Sequence, residues 1–521
     1  MKVLACDGIH EDGLALFREA GWDVAVAPEP IKDPARLAEA LADVDAVLVR
    51  SATPVPAAAL VPGARLRVVG RAGAGVDTID VDAATARGIA VMNAPDGNTL
   101  AAAEHALSLL FALARHVPRA DAGMKAGEWP KAGLTGFELE GKKLGVVGLG
   151  RIGATVARKA LGIGMDVAAF DPFLPAAAAG KGSVPLMTLD ALLAWADVVT
   201  LHVPRTKETT NLLDAARLRA MKPGAFLVNA ARGGLVDEAA LLQALDDGHL
   251  GGAALDTFAT EPLPKDSPLR GHPKLILPPH LGASSGEAQQ AVSTILARQV
   301  IDFVATGAVA GCVNLPPLTP ETAREVGPWM PLMTALGRRR RPAASRAPAP
   351  DAMRAGRTEG LDPRPLTRLL VASLLGSASG RVTPVNALQE AAARGLEVSE
   401  TLGGDGDGFD RLLKLRVEGG GAVRGIEATL HRGPRVVRLD GVELDFDPLA
   451  HLLLMRNDDR PGVIGLVGSH LGAAGVNIVN FSLGATGNGG AIAAITVDRP
   501  VEPAQLASLR GIPGIRSMEQ F

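Results

Sequence analysis

The chain has 521 residues, 47% of them hydrophobic and 21% charged, with a formal net charge of −3. That length exceeds what one hydrophobic core can organise and predicts three or four domains. The charge balance excludes a general attraction to nucleic acid or to anionic membrane. Cys6 and Cys312 are the only cysteines, which excludes a disulfide framework and a thiolate metal cluster and suits a reducing cytoplasm.

The start, "MKVLACDGIHEDG", brings acidic residues and a glycine too early for the apolar core of a secretory leader. Residues 1 to 97 then alternate short β runs ("KVLACDG", "WDVAVA", "AVLVRSA", "RVVGRAGAG", "AVMNAP") with helical stretches, the pattern of a parallel α/β sheet. A long helix follows over 98 to 119, with Asn98 or Thr99 as its cap. Its apolar run, "AAAEHALSLLFALA", is interrupted by Glu104 and His105 and is too short to span a bilayer.

A second α/β series comprises "KLGVVGLG", "DVAAFDP", "DVVTLHVP", "AFLVNAA", "GGAALDTF" and "LILPPH". Two parallel sheets facing a cleft, joined by the long helix, is the economical architecture. The prolines of "VNLPPLTPE" close this unit near residue 316. The stretch 338 to 360, "RRRRPAASRAPAPDAMRAGRTEG", has no helical or strand periodicity and reads as an irregular linker. Its arginines lack interleaved aromatics, so nucleic-acid binding is disfavoured. Strand-like alternation resumes after it, and residues 450 to 521 read strand, helix, strand, strand, helix, strand.

"KLGVVGLGRIGATVARKAL" is the sharpest local signal. It follows a strand, opens a helix, and is answered by Asp171 at the end of the next strand. Gly148 permits the tight turn, Gly150 lets the backbone approach a pyrophosphate, and Gly153 lets helix pack on strand. The helix N-terminus offers free N–H groups for phosphate. Asp171 can bind both ribose hydroxyls and repel a 2′-phosphate, which favours NAD over NADP.

A nicotinamide cofactor requires a substrate that exchanges hydride and a protein group that handles the proton. Three predicted strand ends, "NAARGGLVDE", "DTFATEPLP" and "LPPHLGASS", carry suitable residues. Arg232 can clamp a carboxylate and polarise the neighbouring carbonyl. His280 can take a hydroxyl proton, and Glu261 can orient the imidazole and stabilise its charged form. Taken singly, each also has a structural reading: a surface ion pair, a turn cap, a core histidine.

These motifs, with "GLGRIG", "LVRSATPV", "VVGRAGAGVDTIDV" and "NAPDGNTLAAAEHAL", resemble those of the D-isomer-specific 2-hydroxyacid dehydrogenases, and more narrowly its phosphoglycerate-oxidising branch. The resemblance runs through residues 1 to 316 and resumes from about 361, where long relatives carry an intervening domain and an ACT-type regulatory domain. It implies the following domains: substrate-binding, 1–97 with 285–316; NAD-binding, 98–284; intervening, 317–447; ACT-type βαββαβ, 448–521. It implies that Arg232, Glu261 and His280 are the catalytic trio. It further implies that Arg151, Ile152, Asp171, Thr200, Ala230, Asp256 and the 280–283 turn, with Gly282 and Ala283, contact NAD. Arg50, Arg71 and Asn98 fall where the family holds its substrate, here 3-phosphoglycerate. A homotetramer is implied as well. Lys131 is the one basic residue in "GEWPKAGLTGFELEG", a segment that is usually richer in them in the relatives this chain resembles.

"RNDDRPGVIG" near the C-terminus is a polar turn between strand and helix, suited to a small zwitterion. Asp459, Arg460 and Gly462 would form one wall, and Asn477 could face it from a second subunit. Resemblance to ACT domains implies an amino-acid sensor with L-serine as effector; the other reading is an oligomerisation module. Two further readings of the whole chain stay open: a dehydrogenase of another 2-hydroxyacid (glycerate, lactate or 2-hydroxyglutarate), and a dinucleotide-binding corepressor or redox sensor without turnover.

Overall fold

The structure is a computed structural model. It describes residues 1–521 apart from 62–64, 175–183, 307–308, 317, 319, 340–352, 356–361, 363, 377–381, 396–397, 399, 403–408, 410–411, 420–421 and 432.

The first sheet contains β1 (Lys2–Ala5), β2 (Asp23–Val26), β3 (Ala46–Val49), β4 (Val68–Arg71) and β5 (Ala90–Asn93), all parallel, in the order β2-β1-β3-β4-β5. Its central strands β3 and β4 read "AVLV" and "VVGR" because helices cover both faces and leave no polar side. The helix Gly286–Thr306 returns from far along the chain to complete it. Gly13 and Gly97 permit that approach, since a Cβ at either would come within 2.8 Å of Ser293 or Val292.

The second sheet contains β6 (Lys143–Val147), β7 (Asp166–Phe170), β8 (Val198–Leu201), β9 (Phe226–Asn229), β10 (Gly252–Leu255) and β11 (Leu275–Ile276), in the order β11-β10-β9-β8-β6-β7. A parallel bridge between Ala169 and Leu186 stands where a further edge strand of a Rossmann sheet would lie. The helix Thr99–Arg115 links the two sheets and buries Ala103, Ala106, Leu110 and Leu113 against the second. Among the described residues no single helix is long and apolar enough to cross a membrane.

Two mainly antiparallel sheets follow. One contains β12 (Met353–Ala355), β13 (Glu400–Leu402), β14 (Leu413–Gly419), β15 (Ala422–Leu430), β16 (Pro434–Leu439) and β17 (Val442–Phe446), ordered β13-β12-β14-β15-β16-β17. The other contains β18 (Leu452–Asp458), β19 (Ile478–Ala485), β20 (Gly490–Val497) and β21 (Ile515–Gln520), ordered β19-β20-β18-β21. With the helices Val463–Ala473 and Pro503–Arg510 the last unit has the βαββαβ connectivity of an ACT-type domain. Strand β20 is buried along its whole length: Ala493 and Ile495 face the ACT-type helices, while Ile492 and Ala494 join the core of the neighbouring sheet. That split is the period-two alternation of a strand covered on both sides.

The expectation of an irregular 338–360 needs correction at two points. The helix Met330–Arg339 continues into the arginine run, and β12 forms by pairing with β13 and β14. A ladder supplies backbone hydrogen bonds whatever the side-chain pattern, so a three-residue strand leaves no periodic trace. The rest of that stretch lies outside the described residues.

Candidate active site

Ligands of open α/β sheets bind beyond the carboxyl ends of the strands, and both sheets present their chemistry there. On the first, Arg50 directly follows β3, Arg71 ends β4, and Asn98 precedes the long helix. The Arg71 guanidinium lies over Gly73, where a Cβ would come within 1.8 Å of Nη1. Its Nη2 donates to Ser51 Oγ at 3.1 Å, and its buried Nε has no partner among the described residues. Burial first, and then the repulsion of Arg232 and Arg50, push the Arg71 pKa down to about 10. Asn98 is buried with Oδ1 also unpartnered. Buried polar atoms are normally satisfied. An unmet guanidinium donor on Arg71, among like charges, suits an anionic ligand, while Asn98 Oδ1 would accept from a ligand hydroxyl.

On the second sheet the trio occupies three adjacent strand ends, after β9, β10 and β11. Glu261 Oε2 is 2.7 Å from His280 Nδ1, and Glu261 Oε1 accepts from the Phe258 N–H at 3.0 Å. Burial alone would raise the Glu261 pKa. The hydrogen bonds from His280 and Phe258 outweigh it and hold the carboxyl below its ordinary range. His280 itself is left-handed, φ +57°, a conformation a non-glycine residue keeps only when its surroundings impose it. Asp256 imposes it: its two oxygens accept from the N–H groups of Leu281 and Gly282 at 2.7 and 2.9 Å.

Arg232 closes the constellation. Its Nε donates to Asp77 Oδ2 at 2.9 Å across the cleft. Gly75 makes room for it, because a Cβ there would stand 2.0 Å from Arg232 Nη2. Asn229, buried at the end of β9, shapes the turn by donating to Arg232 O at 2.9 Å and accepting from the Ala231 N–H at 3.1 Å.

The dinucleotide loop has the geometry its sequence predicts. Gly148 has φ +92°, and a Cβ there would lie 2.7 Å from His202 O. A Cβ on Gly153 would sit 1.9 Å from Gly148 O, so only glycine lets this helix start against the loop. Gly150, the residue before helix Arg151–Gly162, has open space around it, as an approaching pyrophosphate requires. Asp171 follows β7 and accepts from the N–H groups of Leu149 and Phe173 at 2.9 and 3.0 Å, which fixes its carboxylate beside the loop. Each oxygen keeps a second lone pair for a ribose hydroxyl. These residues fit NAD. Arg151 Nε lies 2.6 Å from Asp96 Oδ1, an ion pair between the loop and the first sheet's side of the cleft, and Ile152 is partly buried against the core. Ala230 O stands 3.9 Å from where a Gly282 Cβ would be, so Ala230, Gly282 and the following Ala283 form one wall.

Two expected cofactor contacts are placed differently. Thr200 is buried inside β8, and its Oγ1 lies 2.9 Å from His202 Nε2. Asp256 is 0% exposed, so it holds the 280–283 turn and offers the cleft no free face in this structure. Sequence reasoning missed Asp77, Asn229, Asp7, His105 and His202. Asp7 accepts from the N–H groups of Arg50 and Thr53 at 3.0 and 2.6 Å, and His105 Nε2 lies 3.1 Å from Asp256 Oδ1. His202 is half-buried beside the glycine loop, and desolvation of its ring pushes its pKa down to about 4 and keeps it neutral. Only the strand-end positions of Asp7, His202 and Asn229 offered any signal.

In the ACT-type unit, Arg460 and Gly462 line an open depression of about 580 Å³ at the start of helix Val463–Ala473, with Gly465, Ser469 and Pro513. Asp459 does not line it; its N–H donates to Gly489 O. Asn477 stands apart too, its N–H donating to Asp498 Oδ1 at 3.0 Å, so within one chain it forms no part of that wall.

Comparison with known proteins agrees with this geometry. Residues 107–282 match the model of the D-isomer specific 2-hydroxyacid dehydrogenase, NAD binding domain. The chain is 38% identical over 524 residues to D-3-phosphoglycerate dehydrogenase of Bacillus subtilis (strain 168), covering 99% of each. It is 38% identical over 534 residues to the enzyme of the same name from Synechocystis, covering 99% of this chain and 93% of that one. A crystal structure of a Thermus thermophilus protein superposes with a TM-score of 0.56 and 35% identity, over 60% of this chain and all of its own. The chain therefore belongs to the D-isomer-specific 2-hydroxyacid dehydrogenases, in the family of the D-3-phosphoglycerate dehydrogenases, as an NAD-dependent oxidoreductase.

Proposed function

We propose that the chain oxidises 3-phospho-D-glycerate to 3-phosphohydroxypyruvate, the first step of the phosphorylated route to L-serine. One observation carries the reading: three guanidiniums, those of Arg50, Arg71 and Arg232, share a cleft with the His280–Glu261 pair. A substrate with a phosphate at one end and a carboxylate at the other needs cations for both.

Arg232 binds the carboxylate and polarises the carbon that becomes the ketone. Arg50 and Arg71 hold the phosphate. His280 Nδ1 faces Glu261, so its other ring nitrogen, Nε2, receives the hydroxyl proton. Glu261 stabilises the imidazolium that forms, and Asp256 keeps the turn that aims it. NAD, when bound at the Gly148–Gly153 loop, takes up the hydride. The test is NADH oxidation with 3-phosphohydroxypyruvate beside unphosphorylated hydroxypyruvate. A strong preference for the first supports the assignment. Equal or reversed preference moves the substrate to another D-2-hydroxyacid and leaves the dehydrogenase chemistry standing.

The finer readings belong here too: the substrate-binding (1–97, 285–316), NAD-binding (98–284), intervening (317–447) and ACT-type (448–521) boundaries, the cytoplasm as location, and a homotetramer. Exposed Leu100, Phe111, Val117 and Trp129 along and after the linking helix favour self-association, which light scattering would measure. We also assign L-serine as effector of the depression at Arg460 and Gly462. Inhibition by L-serine that Arg460→Ala abolishes is the expected result.

A further inference from the structure

We propose that the chain carries a second ligand site, for an amphipathic monocarboxylate, in a cavity between the first sheet and the unit that follows the catalytic domains. The cavity holds about 780 Å³, within the range of small-molecule pockets, about 300–1,000 Å³. It is not the catalytic cleft. Arg67 and Ile89, which line it, immediately precede β4 and β5, so it opens at the amino ends of strands whose carboxyl ends carry Arg71 and Asn93.

Its body is apolar and comes from both sides: Leu60 and Phe303 from the catalytic part, Met330 and Leu369 from the unit beyond. Two cross-contacts hold the walls together beside it. Thr383 Oγ1 donates to Gly88 O at 3.0 Å, and Asn386 Nδ2 donates to Ala86 O at 3.4 Å.

The charges on its lining do not balance. Among the described lining residues, Arg65, Arg67, Arg87 and Arg368 stand with one carboxylate, Glu390. Arg65 is engaged by Asp43 and Asp45, Glu390 by Arg394, and Arg368 donates to the carbonyls of Pro384 and Val385. Arg67, at the exposed rim, has no hydrogen-bond or ion-pair partner for its guanidinium among the described residues, so a ligand head there would replace solvent. Arg87 donates Nη1 to Ala83 O at 3.0 Å, while its buried Nε has no partner among them. An apolar chamber with a surplus of guanidinium donors fits an occupant with a hydrophobic body and one anionic head. The guanidinium fork accepts carboxylate or phosphate, but a carboxylate suits the site better, because a single charge is less costly than two to bring beside apolar walls.

The test is calorimetric titration of the full-length protein with decanoate, decanol, acetate and octyl phosphate. The expected result is saturable binding of one decanoate per chain, at least tenfold tighter than decanol or acetate. Arg67→Gln should weaken decanoate binding about tenfold, the scale of one charge-assisted hydrogen bond, with kcat and KM for the dehydrogenase reaction unchanged. Leu369→Trp, which fills the cavity, should abolish binding. Should that variant fail to fold, the wild-type ligand comparison and Arg67→Gln decide alone. Equal binding of decanoate and decanol, wild-type affinity in Arg67→Gln, non-saturating uptake, or tighter binding of octyl phosphate would each overturn the proposal.

Discussion

Arg232 and Asp77 join the two sides of the cleft: 155 residues apart in the chain, they meet with Nε 2.9 Å from Oδ2. The pair lies at the cleft surface, with Asp77 more exposed than Arg232, so its own contribution is at most about 1 kcal/mol. Asp77→Asn should therefore raise KM only a few-fold. Arg232→Lys loses the planar fork and should lower kcat/KM about 10²-fold or more, by about 1.5–3 kcal/mol for each charge-assisted bond lost. Steady-state kinetics on both variants would show the difference, and equal effects would mean that Arg232 acts only through Asp77.

His280 and Glu261 should separate by magnitude and by pH. His280→Gln should lower kcat by about 10²–10⁴-fold, the range for a lost general acid–base, with a smaller change in KM. Glu261→Gln should cost less, because the imidazole remains. Glu261 is held below its ordinary pKa in the fold. Its stabilising effect is therefore fully present above the ordinary carboxylate pKa and fades as pH falls through the lower folded value. Thermal melts between pH 7 and pH 3 should show a steeper acid loss in the wild type than in Glu261→Gln.

Arg71 sits half-buried among like charges. Replacing it with Gln removes that repulsion while taking away a ligand for the anion. The ligand-free Arg71→Gln protein should melt no lower than the wild type, yet its KM for the phosphorylated substrate should rise by about tenfold or more. A large drop in melting temperature would show that Arg71 is structural.

Asp171 stands beside the glycine loop with its carboxylate fixed by two N–H donors. Asp171→Ala should raise KM for NAD and narrow the discrimination against NADP by about tenfold, since both a ribose partner and a repulsive charge disappear. Unchanged NAD:NADP preference would place cofactor selection elsewhere.

The local parts of this protein were legible because local rules produce them. The glycine spacing of "GLGRIG", the acidic answer at Asp171, the β–α alternation and the strand-end positions of Arg232, Glu261 and His280 follow from backbone sterics and sheet periodicity. Each acts over a few residues, which a sequence displays directly. The pairings that make the site act were not legible. Asp77 with Arg232, Asp256 with the turn after His280, and Asp7 under Arg50 connect segments 155, 25 and 43 residues apart. Nothing within a short window shows which distant group each of those aspartates meets. Thr200, which the family resemblance placed against NAD, is buried, because β8 is a central strand covered on both faces. The amino acids alone determined which groups could do the chemistry. The packing of two sheets and a linking helix decided which of them meet and which are walled in, because burial and long-range contact are properties of the assembled core and not of any stretch of chain.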